Sequence, residues 1–396
     1  MKTRTLTLTF LAVSASLFFS CTPKNKGLGE VNTLLDSLSQ RYAPDGRIAV
    51  FEVRVEQQGS AFVVKGDVED QRAKEESVEA IRKATGGTVI DSVKLLPDPE
   101  LGENTFGIVA VSVGNVRTKP GHPNELSTQV LMGTVVKLLK KQGGWYFVQM
   151  PDKYLGWLEA SALRATTAER VDAWRSATKM IVTNYFALVR SEPRMDALPV
   201  SDGVVGMLVK FLARKGTWDQ VELPDGRHGF METSNVEDYQ KWRQTRRLTA
   251  DNIEKTAKMF IGVPYLWGGT SAKGMDCSGF TKTVFRLNGL ELNRDADQQA
   301  LMGEPVDPGR DFENLRKGDL LFFGRKATAE RSERITHVGI YLGKQEFIHS
   351  PGGAGVKLNS FDPSAPNYSE SHRRNFVRSR RVIGVEEVSE LSKKKF

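Results

Sequence analysis

"GGTSAKGMDCSGF", residues 268–280, holds a cysteine between an aspartate and a serine where the downstream spacing predicts a helix start. Downstream, Phe280, Val284 and Leu287 recur at helical spacing, and Asn288-Gly289 is a stop signal. Asp276 is a good N-cap type, which puts Cys277 in the first turn. There the positive helix end and its unpaired N–H groups stabilise a thiolate. Gly268, Gly269, Gly274 and Gly279 permit close backbone approach around it. The chain has two cysteines, Cys21 and Cys277. The count alone leaves a reactive thiol and an inert core thiol equally open.

A nucleophilic cysteine needs a base. The five histidines are His122, His228, His337, His349 and His372. His122 and His228 fall in turn-like sequence and read as surface residues. His372 lies in a basic, Ser-rich loop. His337 is different. "ITHVGIYLG" alternates, with Ile335, His337, Gly339 and Tyr341 on one face. "EFIHS" follows across a tight turn. A three-residue loop, Gly343 to Gln345, sets His349 opposite Gly339 and diagonal to His337. A two-residue loop splits the two histidines.

The whole chain sets the context. Its 396 residues predict two to four domains. Lys2 and Arg4, the apolar run Leu6–Phe19, then Ser20-Cys21 read as a signal peptide with a lipidation cysteine at 21. The net charge of +8 suits anionic partners such as wall peptides or lipid head groups. No aromatic-plus-basic pattern points to nucleic acid. One Cys and two His without paired spacing argue against a zinc site, so neither metal nor cofactor is expected.

Four units follow the signal segment 1–21. Residues 30–100 read as a small α/β unit: a strand at Ala49–Val55, strands at Ala61–Val68 and Val89–Leu95, and a helix at Glu69–Ala84. Residues 105–165 carry short strands separated by turns, the spacing of a small β-barrel. Residues 180–240 repeat that plan, after a helix-like stretch from Thr167 to Met180. Residues 248–388 carry the cysteine and both alternating-strand histidines. The fold class expected is α+β.

"VGNVRTKPG" and "GGWYFVQMPDKYLGWLEASAL" resemble bacterial SH3-like domains of envelope proteins. "PYLWGGTSAKGMDCSGF", "RKGDLLFF", "THVGIYLG" and "FIHS", in that order, resemble the NlpC-type family of papain-like cysteine peptidases. With the tandem barrels the resemblance extends from residue 105 onward, to the subgroup acting on short cell-wall peptides. It implies cleavage between γ-D-glutamate and a diamino acid in peptidoglycan stem peptides; with the Cys21 reading, a lipid-anchored envelope protein is expected, as a monomer. It further implies Cys277 as nucleophile, His337 as base, His349 as the group orienting His337, and Tyr265 beside the nucleophile. Glu125, Tyr154 and Asp276 match the subgroup's clamp for a free amine. Ser278 and Asp295 match further substrate contacts, while Ala296 stands where many relatives carry a hydroxyl. A non-catalytic wall-binding protein and an autolysin of intact wall are the alternatives.

Overall fold

The computed structural model describes residues 28–385. The signal segment and Cys21 lie outside them. The first unit comprises α1 (Leu28–Tyr42), β1 (Arg54–Gln58), β2 (Ala61–Val68), α2 (Gln71–Thr85) and β3 (Thr88–Leu95). The sheet runs β1-β2-β3, with β1 antiparallel and β3 parallel to β2. Helix α1, unassigned by the sequence reading, packs Val31 and Leu35 with Ile81 and Val64 in one core. Asp70 caps α2 by accepting the N–H groups of Arg72 and Ala73. The strand expected at Ala49–Val55 is displaced, since regular pairing starts only at Arg54. Gly66 is the reason. Its φ is +130°, and a Cβ there would lie 1.9 Å from the Glu52 carbonyl oxygen. The regular ladder is interrupted here, and the isolated Phe51–Val68 bridge continues it in the same register.

Two seven-stranded barrels come next. The first has β4 (Phe106–Val109), β5 (Val113–Arg117), β6 (Leu126–Leu131), β7 (Val135–Gln142), β8 (Trp145–Gln149), β9 (Leu155–Glu159) and β10 (Leu163–Thr166). After α3 (Ala168–Ser176), the second has β11 (Lys179–Val182), β12 (Phe186–Arg190), β13 (Pro199–Val204), β14 (Leu208–Lys215), β15 (Trp218–Glu222), β16 (His228–Glu232) and β17 (Val236–Asp238). The orders are β10-β4-β7-β8-β9-β5-β6 and β13-β12-β16-β15-β14-β11-β17. Reversed, the second matches the first strand for strand, so the internal repeat is structural. Helix α3 is shorter than Thr167–Met180. Lys179 turns back and donates to the carbonyls of Trp174, Arg175 and Ala177 at 2.7–2.8 Å, closing the helix end.

The last unit holds α4 (Tyr239–Thr245), α5 (Ala250–Met259), β18 (Thr270–Ser271), β19 (Gly274–Met275), α6 (Cys277–Arg286) and α7 (Ala296–Gln299). It continues with β20 (Glu304–Val306), β21 (Leu320–Arg325), β22 (Arg334–Gly343), β23 (Glu346–His349), β24 (Lys357–Ser360), α8 (Glu370–Arg374) and β25 (Phe376–Arg381). Its six-stranded sheet runs β20-β25-β21-β22-β23-β24. Phe280, Val284 and Phe285 of α6 share a core with Leu320, Phe322, Val338 and Ile340 of the sheet. This helix is buried on nearly every side, so the cysteine at its start is held by the core rather than by a loop.

The β22–β23 hairpin pairs Gly339 with His349. The parity does not come from a three-residue loop. Lys344 and Gln345 form a two-residue turn at φ +50° and +63°, and an irregularity between Tyr341 and Gly343 supplies the odd residue. Gly339 leaves room for its partner, because a Cβ there would sit 3.1 Å from the His349 Cβ.

The first barrel lies along the loop before Cys277. Gln129 Oε1 accepts from Thr270 N–H and Ser271 Oγ at 3.1 and 2.8 Å, and Thr270 Oγ1 donates to the Gln129 carbonyl at 3.0 Å. Gly268, at φ +78°, approaches so closely that a Cβ would lie 2.2 Å from the Leu126 carbonyl oxygen.

Candidate active site

Asp276 caps α6 through Gly279 N–H at 2.7 Å and also accepts Gly268 N–H at 2.9 Å. One carboxylate therefore braces the loop on one side of Cys277 and the helix on the other. Cys277 is 8% exposed. The N–H groups of Val338 and Ser278 face its sulfur and favour the thiolate, as a helix start should. Burial outweighs them, with the Asp276 charge second, and pushes the thiol up to about 12. The thiolate expected from helix position alone is thus not the resting form. Tyr265 stands close by. Burial first, then the Cys277 and Asp276 charges, push its hydroxyl up to about 12.

The histidines form a directed chain. Asn359 Nδ2 donates to the Asn367 carbonyl at 2.8 Å, which fixes the amide so that Oδ1 faces His349 Nε2 at 2.9 Å. His349 Nε2 is then the protonated nitrogen, and its Nδ1 is an acceptor. That Nδ1 lies 2.7 Å from His337 Nε2, which must donate to it. His337 Nδ1 is left with a free lone pair. Burial, with His372 as the second cause, lowers the His337 imidazole to about 3, so it stays neutral near pH 7. Asn359 had no signal in the sequence, standing as an ordinary residue ten positions beyond His349.

His372 is not in a remote loop. Helix α8 brings its ring centroid within 5.4 Å of His337 and 4.6 Å of His349. Its Nδ1 is 2.7 Å from Ser369 Oγ. His122 and His228 are exposed, in the two barrels.

Burial lowers the imidazoles of His337, His349 and His372 alike. Unfolded histidines bind protons near pH 6.5, while folded His337 does so only near 3. The unfolded state therefore holds more protons between these values. Stability present above pH 6.5 is lost as pH falls toward 3. For His337 alone the loss at pH 5 is about 2 kcal/mol. Denaturation of wild type and His337→Asn at pH 7.5 and pH 5 checks this. The wild type is expected to lose more stability than the variant, whereas equal losses contradict the assignment.

The residues expected to hold substrate divide. Arg294, 2% exposed in its side chain, occupies Asp276 with Nη2–Oδ2 at 2.6 Å and Nη1–Oδ1 at 3.2 Å. It also donates to Ser278 Oγ at 2.9 Å and, through Nε, to Thr128 Oγ1 of the first barrel at 2.9 Å. The charge of Asp276 is therefore already paired in the unliganded site. Tyr154 does not meet Asp276 but donates to Asp295 Oδ2 at 3.0 Å. Glu125 is reached by Trp267 Nε1–H at 2.7 Å.

The first unit contributes Arg47 to the same edge. Its Nη1 lies 2.8 Å from Asp295 Oδ2, its Nη2 2.9 Å from Asp297, and Nε and Nη2 bind Asp45 at 2.9 Å. Arg47 gathers Asp45, Asp295 and Asp297, and Arg294 holds Asp276, so two neighbouring clusters set two guanidinia against four carboxylates. Their combined formal charge is 2 − 4 = −2. The reading of the sequence missed both arginines. Arg294 stood in plain view beside Asp295, but nothing local distinguishes a buried arginine from a solvated one.

Known proteins share these domains. A profile of the NlpC/P60 family matches residues 262–377, and one of the bacterial dipeptidyl-peptidase Sh3 domain matches residues 116–163. A gamma-D-glutamyl-L-lysine dipeptidyl-peptidase of Bacillus cereus is 31% identical over 63% of this chain and 74% of its own length. Dipeptidyl-peptidase 6 of Lysinibacillus sphaericus is 27% identical over 66% of this chain and 94% of its own. The crystal structure of an NlpC/P60 family protein from Bacillus cereus shares the fold, with a TM-score of 0.60 and 24% identity over 70% of this chain and 99% of that one. A cysteine heading a buried helix, a directed histidine pair behind it and an SH3-like barrel laid along its loop place this chain in the NlpC/P60 family of cysteine peptidases.

Proposed function

We propose that the chain hydrolyses the γ-D-glutamyl–diamino acid bond of peptidoglycan stem peptides, with Cys277 as nucleophile and His337 as base. The observation that carries this reading is the hydrogen-bond chain Asn359–His349–His337, which leaves His337 Nδ1 as the free base. Because thiol and imidazole both rest neutral, proton transfer accompanies attack. The Cys277 proton passes to His337 Nδ1 as Sγ bonds to the scissile carbonyl carbon. The N–H of Cys277, in the first turn of α6, holds the oxyanion. His337 then protonates the leaving amine of the diamino acid, leaving a thioester. Water, deprotonated by His337, cleaves the thioester and the thiol is restored. His349 orients the base and stabilises the imidazolium.

We further propose that the preferred substrate is a short peptide with a free amino terminus. The first barrel roofs the loop before Cys277, and the Arg47 and Arg294 clusters beside it together hold an excess of carboxylates. An ammonium gains charge-assisted hydrogen bonds there, while an acylated amine does not. With Asp276 already paired to Arg294, the discrimination is set at roughly 10- to 100-fold in kcat/KM. The Cys21 reading makes this enzyme a lipid-anchored component of the envelope, acting on released wall fragments. The test compares L-Ala-γ-D-Glu-diaminopimelate with its N-acetyl form and with intact sacculi, reading product masses. Cleavage of the free-amine peptide at the γ-glutamyl bond is expected, with slow turnover of the other two. Equal rates on the acetylated peptide remove the amine preference, and efficient release from sacculi favours an autolysin.

A further inference from the structure

Three imidazoles converge where β22, β23 and α8 meet. One ring nitrogen each from His337, His349 and His372 lies within 4.8 Å of the other two. Two of the rings already have the outer hydrogen bond that metal-binding histidines use to fix their tautomer. His349 Nε2–H donates to Asn359, so its Nδ1 lone pair, which now accepts from His337 Nε2–H, is the one that turns to a metal. His372 Nδ1 is held by Ser369 Oγ, leaving Nε2 as its open donor atom. A cavity of about 360 Å³, bounded by Phe323, Thr336, His337, Ser371 and His372, opens on two of the three rings. It supplies an entry path and room for a water ligand.

We propose that His337, His349 and His372 form an inhibitory site for a divalent transition metal ion of the zinc type. An all-imidazole set suits zinc, copper or nickel, not magnesium or calcium, which take oxygen ligands. Tetrahedral zinc with Zn–N near 2.0–2.1 Å sets the nitrogens about 3.4 Å apart. The His337–His349 pair, now at 2.7 Å, must open slightly. The widest separation, up to 4.8 Å, must close by about 1.4 Å. His372 can supply most of that movement, since it rides on a five-residue helix with no buried side chain. A water from the cavity completes the four ligands.

The effect on activity rests on the proposed role of His337, whereas metal capture does not. The ion takes the lone pair at His337 Nε2, and the proton now there moves to Nδ1. The ring stays neutral, but Nδ1 can no longer accept the Cys277 proton. Occupied protein is therefore an inactive peptidase with its nucleophile intact.

Zinc chloride is titrated calorimetrically into the full chain in metal-free buffer, for wild type, Cys277→Ala, His372→Ala and His372→Gln, with melting curves as the check on folding. The same additions are followed by hydrolysis of the free-amine peptide. The expected result is one zinc per chain, bound equally well by Cys277→Ala and at least tenfold more weakly by both His372 variants. Their zinc-free activity is expected to stay within about twofold of wild type, and the zinc needed for half-inhibition rises in step with the loss of affinity. Unchanged affinity in both His372 variants overturns the site. Loss of binding in Cys277→Ala overturns it too, by assigning the ion to the Cys277–His337 pair. If the chain proved not to hydrolyse the peptide at all, the calorimetric arm alone would still decide for or against the metal site.

Discussion

Cys277→Ala lowers kcat/KM on L-Ala-γ-D-Glu-diaminopimelate by on the order of 10,000-fold or more while the protein stays folded. The change removes the one thiol among the described residues, and with it the atom that forms the thioester. Nothing nearby can replace it: Ser278 Oγ is bound to Asp276 and Arg294, and Tyr265 is held protonated by burial and the charges around it. Alanine suits the first turn of a helix, and losing one sulfur from an 8% exposed site costs about 1 kcal/mol. Activity and stability therefore separate, and the melting curve distinguishes a lost nucleophile from a lost fold. Activity within tenfold of wild type would remove Cys277 from the chemistry and favour a wall-binding module.

Arg294→Met destabilises the catalytic unit by about 3–5 kcal/mol, the second large effect. The reason is what the arginine leaves behind. Asp276 is 7% exposed, and without Arg294 its charge keeps only two backbone N–H groups and a weak Ser278 contact at 3.3 Å. The same substitution cuts the Nε bond to Thr128, one of the ties between the first barrel and the loop carrying Cys277. Turnover is expected to fall along with stability. The diagnostic is the double variant with Asp276→Asn. Asparagine still caps α6 but carries no charge, so the pair is expected to be markedly more stable than the sum of the two single effects. Strict additivity would show that the ion pair does not hold this turn.

What could be read from the sequence was local, and what escaped it was not. Asp276 before Cys277, followed by Phe280 and Val284, is a helix written within ten residues, and the structure has α6 there. Alternation in "ITHVGIYLG" marks β22 for the same reason. The hairpin shows the limit. His349 faces Gly339 as expected, but through a two-residue turn and an irregularity that no alternation pattern encodes. The strand expected at Ala49–Val55 starts late, where Gly66 on its partner strand lets the backbone crowd against Glu52, a contact its own residues do not announce. Helix α1 had its apolar residues in the sequence, at Val31, Leu35, Leu38 and Tyr42, but went unassigned.

The active-site surroundings were the least legible part. Arg47 meets Asp295 across 248 positions, and Arg294 meets Thr128 across 166. In sequence Arg47 is one arginine in a Gly-containing turn, and His372 is one histidine among basic residues. Only the fold gives the first three carboxylates to pair with and the second two imidazoles for neighbours. The thiol also departs from its local signal. A helix start favours the thiolate, but the depth of burial, which belongs to the whole unit, holds the sulfur protonated.

The most direct test of the central claim is intact-mass spectrometry of the enzyme quenched during turnover of L-Ala-γ-D-Glu-diaminopimelate. Burial keeps the acyl-enzyme away from bulk water, and acid quenching preserves a thioester. The expected result is a mass gain of one L-Ala-γ-D-Glu acyl group, mapped by peptide digestion to Cys277 and absent from Cys277→Ala. Free diaminopimelate should appear in equal amount in the first turnover. An adduct on another residue, or peptide hydrolysis that continues in Cys277→Ala, would contradict it.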